Sequence, residues 1–234
     1  MELFDLEFYK VLLKNIQNNY TITDYGDVYC NNNKKSLLIR HDIDVSLYDA
    51  LELAKIEAEF NIKSTYFIWI KSPFYNALSI ENQKNLFKII ELGHDIALHF
   101  DPTEIHEKDF EKAVSFEIKI LENTIQKKLT AISFHQPYAS LIRSENKYIA
   151  NLPQVYSKEI FDTYEYIADS NCKWSKPIKK LLDGEFDKVQ LLVHPEWWVN
   201  AEVENRYRVL KSISKNRMRD EMYHLSLSGL FNGK

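Results

Sequence analysis

Six short apolar runs, each followed by a stretch of different period, decide what this chain can fold into: residues 37–45, 64–70, 94–99, 129–135, 166–169 and 189–195. Each has the length and β-branched or aromatic content of a buried strand. Helical spacing fills the gaps. Ser46 caps a predicted helix whose apolar face is Leu47, Ala50, Leu51, Ala54 and Ala58; residues 80–92 form another, stopped by Gly93. A longer one is expected over 104–126, on Phe110, Ala113, Val114, Ile118, Leu121 and Ile125. An amphipathic helix over 5–19 precedes the series, and a charged helix from about 201 to 224 closes it. Residues 138–160 show no period and read as an excursion over one end of the fold. Strand and helix in alternation are the sequence form of a parallel sheet with helices outside, so the expected class is α/β.

At 234 residues the chain has room for one large domain or two small ones, and no linker divides it. One domain, residues 1–234, is therefore expected: a helix and lead-in over 1–35, a core over 36–198 and a terminal helix over 199–234. The net charge of −4 and scattered lysines argue against a nucleic-acid partner. Two cysteines in unrelated contexts, Cys30 and Cys172, suggest neither a disulfide framework nor a zinc knuckle. Met1 to Asp5 shows no secretory leader, and no apolar run reaches membrane-spanning length, so no transmembrane segment and a cytoplasmic location are expected.

In parallel sheets functional groups gather at the C-terminal strand ends. Here those ends read Arg40-His41-Asp42-Ile43-Asp44, His99-Phe100-Asp101, His135-Gln136-Pro137, Asp169-Ser170-Asn171 and His194-Pro195. Strand alternation puts Arg40, Asp42 and Asp44 on one face and His41 on the other. Two carboxylates so close repel unless a cation, a proton or Arg40 relieves them. A lone histidine at a strand end is more often structural than catalytic. Four of the chain's seven histidines on one rim, with aspartates among them, read as an active site.

With these residues in view the chain resembles the polysaccharide deacetylase (NodB-homology, carbohydrate esterase family four) superfamily, over most of residues 36–198. The resemblance implies a distorted, partly open (β/α) barrel of about six to seven parallel strands. It also implies hydrolysis of N- or O-acetyl groups with a divalent metal, zinc first. Arg40-His41-Asp42-Ile43-Asp44 is similar to the first motif, which makes Asp42 the base and Asp44 a metal ligand. Gly93-His94-Asp95-Ile96-Ala97-Leu98-His99 is similar to the second, which makes His99 a ligand and leaves His94 a supporting or structural role. The family's next histidine, four residues on, is Thr103 here, so Asp101 or His106 is expected to supply the third ligand.

The family's third motif, an arginine-proline element bracing the base, is replaced by Ser133-Phe134-His135-Gln136-Pro137; His135 would orient Asp42 or contact substrate. Asp169 to Trp174 resembles the fourth motif, an acid followed by a pocket-lining tryptophan, and Leu191-Leu192-Val193-His194-Pro195 the fifth, with His194 as general acid. Asp169 beside His194 would favour its protonated form. Arg40, Pro137, Trp174 and Trp197 are the expected substrate contacts. Of Trp197 and Trp198, one is expected to plug the barrel and the other to face the mouth, because adjacent strand residues point opposite ways. The pattern is closest to the branch linked to surface-polysaccharide biosynthesis, so the implied partner is an acetylated bacterial envelope sugar or its precursor. The alternatives are a cyclic amide or imide hydrolase on the same fold, a catalytically silent glycan-binding relative, and a plain α/β domain with a charged rim.

Overall fold

The computed structural model describes residues 4–26, 28–30, 33–103, 105, 109–201 and 204–227. Its sheet is organised around β2 (Ser36–Ile43), every residue of which is buried. That is the environment a strand apolar on both faces requires. Beside it runs β9 (Lys188–Val193), paired over residues 36–41, and on the other flank β3 (Thr65–Ile68), paired over 40–43. The short β1 (Thr21–Thr23) pairs with the first three residues of β2. Beyond β3 come β4 (Asp95–Phe100) and β5 (Ile132–Phe134); beyond β9 comes β8 (Glu165–Ala168). All these pairings are parallel, and the order β5-β4-β3-β2-β9-β8 makes a curled, open half-barrel with helices around it. This is the expected fold class.

The helices start where their caps dictate. Asp5 accepts from the Phe8 amide at 2.7 Å to open α1 (Leu6–Asn19), and Ser46 accepts from the Asp49 amide at 3.0 Å to open α2 (Leu47–Glu59). After α3 (Ile80–Glu91), Gly93 turns the chain at φ 96°, and β4 follows. Of the fourth helix expected over 104–126, α4 spans Phe110–Ile125, and residues 104 and 106–108 lie outside the described residues. Just past β4, Asp101 accepts from the Thr103 amide and hydroxyl in a turn around Pro102. The excursion carries a hairpin of β6 (Tyr148–Ile149) and β7 (Leu152–Pro153), then α5 (Lys158–Thr163). The chain continues through α6 (Ile178–Leu182), α7 (Glu196–Val199) and α8 (Asn205–Leu227).

Two apolar clusters pack the sheet, divided along its strands. One joins β2–β5 residues such as Phe67 and Phe134 to α2, α3 and α4. The other packs Leu37 and Ile39 against α1, α6 and Trp198. With both faces filled, the open positions for chemistry are the C-terminal strand ends.

Candidate active site

Asp44 lies just past β2, His99 near the end of β4, and His135 just past β5. His99 Nε2 is 3.1 Å and His135 Nδ1 3.3 Å from Asp44 Oδ1. That oxygen is buried and has no aligned hydrogen-bond donor, an orphan that a cation would satisfy. One ligand atom from each of the three residues lies within 4.8 Å of the others. Burial alone would push the Asp44 carboxyl up, but the two imidazoles hold it well below the usual carboxylate range. Supporting contacts fix the rings. His99 Nδ1 bonds the Ser133 hydroxyl at 2.7 Å, which leaves Nε2 toward Asp44, and Trp69 stacks on His135 with centroids 4.0 Å apart. Two nitrogens and one carboxylate oxygen, partly open to solvent, fit a divalent cation of the zinc type with positions left for water.

Asp42 stands beside this set. Arg40 Nη2 donates to its Oδ2 at 2.8 Å, and the Ser133 hydroxyl donates to its Oδ1 at 3.4 Å. Arg40 is 0% exposed, also donates to the Tyr156 hydroxyl at 2.7 Å, and lies 4.8 Å from that ring's centre. Arg40 thus braces the carboxylate two residues on, from the same face of β2.

Across the cleft, His194 Nδ1 is 2.6 Å from Asp169 Oδ1. Asp169 also accepts from the His194 backbone amide and, at 2.8 Å, from Trp198 Nε1. Burial works against the charged imidazole, yet the Asp169 charge and hydrogen bond, with Asp44 beyond, carry His194 up to about 10. Glu196 lines the same cleft, and burial pushes its carboxyl up to about 8 against the pull of His194. The cleft, about 290 Å³, brings together Asp42, Asp44, His99, His135, His194 and Trp197.

Several sequence expectations differ from this picture. Arg40 has no surface to offer a substrate; it braces Asp42. Asp101 is outside the cation set, its carboxylate turned back to Thr103, and His135 stands in its place. His106 lies outside the described residues. Trp174 does not line the cleft but stacks on Phe4 at 5.4 Å and packs edge-on to Trp198. Pro137 is also off the cleft, which its neighbour Gln136 lines. His94 is buried on the far side, bonding the Ala54 carbonyl and accepting from the Ser64 amide. Trp69, which the sequence offered with the other tryptophans as a sugar platform, instead stacks on His135. Sequence reasoning missed Ser133, Tyr156 and Glu196; only Ser133 carried a signal, through its same-face spacing with His135.

Fold and cleft together define a class: an α/β half-barrel whose strand ends join a cation-type donor set, a braced carboxylate and an acid-paired histidine. No family model and no curated protein matches the sequence. Solved structures do resemble it. The Streptococcus pyogenes deacetylase PplD, in complex with acetate, aligns at 13% identity and TM-score 0.45 over 54% of this chain and 61% of its own. The Xyl-CE4 domain of a multidomain xylanase from the hindgut metagenome of Trinervitermes trinervoides aligns at 12% and 0.48, over 80% of this chain and 84% of that one. A CE4 family pseudoenzyme from Bacillus anthracis, BA3943, aligns at 11% and 0.45, over 79% and 62%. The chain thus spans less than two thirds of the first and third. The second and third are named as CE4 proteins, the carbohydrate esterase family four that the motifs resemble, and the first as a deacetylase. At such identities and scores they assign no role to any residue here.

Proposed function

We propose that the chain is a metal-dependent hydrolase that removes an acetyl group, N- or O-linked, from a carbohydrate. The observation that supports it most is the meeting, in one cleft, of the Asp44–His99–His135 set with Asp42 and His194. A divalent cation held by those three residues would supply a water acidified to roughly pKa 7 and an electrophile for the acyl oxygen. Asp42 is the base: Arg40 and Ser133 fix its carboxylate, so it can take a proton from the attacking water without swinging away. His194, kept charged by Asp169, passes a proton to the departing amine or alkoxide. Trp197 offers an aromatic face to the apolar side of a sugar ring. A surface-polysaccharide precursor is the substrate class favoured by the motif pattern.

Metal analysis of protein purified without chelator, joined to acetate release from a panel of acetylated amino sugars, tests the reading. About one divalent ion per chain is expected, lost in His99→Ala. Asp42→Asn and His194→Ala should cut turnover by about 10²-fold or more while keeping the ion. Full metal in His99→Ala, or wild-type turnover in Asp42→Asn, would sink the assignment.

A further inference from the structure

The strands at the two edges of the half-barrel, β5 and β8, each lead into a loop with a left-handed residue beside the cleft. Gln136 sits at φ 46° and Asn171 at φ 57°. Both residues line the cleft that holds Asp42, Asp44 and His194, and both are exposed. Neither carboxamide has a hydrogen-bond partner among the described residues. Glycine takes this backbone region without strain, and the chain uses it so at Gly93 and Gly184, both next to helix ends. The other side chains at positive φ have ordinary accounts. Asn61 and Gln126 end helices, Arg143, Ala150 and Asn151 belong to the excursion, and Cys172 is buried. At the two cleft loops the chain keeps a free amide where glycine would fit the backbone better.

We infer that Gln136 and Asn171 form a clamp that hydrogen-bonds the hydroxyl groups of a saccharide ring. Because the sheet curls, both edges border one cleft: Asp42, Asp44, His99 and His194 come from strands between them, and His135 from the β5 edge beside Gln136. Each carboxamide offers two N–H donors and a carbonyl acceptor, and a ring hydroxyl is itself both donor and acceptor. Held from both edges, the ring is oriented so that its acetylated substituent points at Asp42. The clamp rests on the deacetylase reading and deepens it: it selects a polyhydroxylated acyl carrier over a flat cyclic amide.

Asn171→Gly and Gln136→Gly remove the amides while keeping the backbone conformation, so both variants should melt no lower than wild type. Kinetics are measured on N-acetylglucosamine oligomers, N-acetylgalactosamine and N-acetylmannosamine, and on 4-nitrophenyl acetate, which has no ring hydroxyls. Each variant should raise KM for the best saccharide about 3- to 10-fold, the loss of one or two neutral hydrogen bonds. The KM for 4-nitrophenyl acetate should rise less, and kcat should change less than KM. An unmoved saccharide KM in both variants, or an equal rise on both probes, overturns the clamp. Cleavage of the aryl acetate but of no saccharide leaves a hydrolase and removes the clamp. If neither probe is cleaved, the deacetylase reading fails, and saccharide quenching of tryptophan fluorescence decides the clamp through Trp197. Weaker quenching in both variants supports it; quenching equal to wild type, or none at all, overturns it.

Discussion

A guanidinium with no exposed surface must be matched, and Arg40 is matched by Asp42 and Tyr156. Removing it strands a buried carboxylate. Arg40→Met is therefore expected to cost about 3–5 kcal/mol in chemical denaturation; a variant as stable as wild type would show that Asp42 is solvated after all. Asp169 governs His194 in the opposite sense. The imidazole, at about 10, loses its proton only as pH rises through that value, so the alkaline limb of kcat/KM should lie high. In Asp169→Asn the supporting charge is gone and the limb should move down toward the ordinary histidine range. An unmoved limb would mean that His194 is not the group titrating. The Arg40–Asp42 pair was legible from i, i+2 spacing on one strand. Arg40's burial was not, because Tyr156 reaches it from a segment without period. Likewise Asp101 shares strand parity with His99, but Pro102 and the Thr103 turn end the strand's alternation there.

At the scale of elements, α7 is the instructive case. Trp197 and Trp198 were expected on a strand, pointing to opposite faces; instead Pro195 leads into a helical turn, Glu196–Val199. The division of labour still holds, since residues adjacent on a helix also point well apart: Trp198 is 0% exposed and Trp197 lines the cleft. Trp198→Ala should lower stability by about 3–5 kcal/mol, read as a fall in melting temperature, because it empties the cluster shared with Phe4 and Tyr9. It also takes a donor from Asp169. Trp197→Ala should instead raise KM for an acetylated sugar with little change in melting. If both substitutions only destabilise, the sugar platform is lost. The strand-helix alternation was legible because each long element repeats its period several times. The three residues of β1 and the two-residue strands of the hairpin are too short to show one.

At the scale of the molecule, one buried network ties together four elements on the side of the sheet away from the cleft. Glu57 of α2 accepts from Tyr9 of α1 at 2.6 Å and from Tyr66 of β3 at 2.7 Å, and lies 2.7 Å from His41 Nε2 of β2. Burial alone would raise the Glu57 carboxyl, but His41, then His94 and Tyr9, bring it down to about 2. A carboxyl held below its unfolded value stabilises the fold above that value, 4.5, and ceases to do so as pH falls through about 2. His94 adds to the acid sensitivity: burial lowers its pKa despite Glu57, so the unfolded chain binds its proton first and stability starts to fall below about 6.5. This network's share of the stability should therefore fall from about pH 6.5 into acid, while Glu196, held up at about 8, works the other way between that value and 4.5. Glu57→Gln should be less stable at neutral pH by about 1–3 kcal/mol, having taken the charged acceptor from the Tyr9 and Tyr66 hydroxyls. It should also lose less stability than wild type between pH 4.5 and 2, because the group that titrates there is gone. Curves for the two proteins that run parallel through that window would show that the acid sensitivity lies elsewhere than in this network.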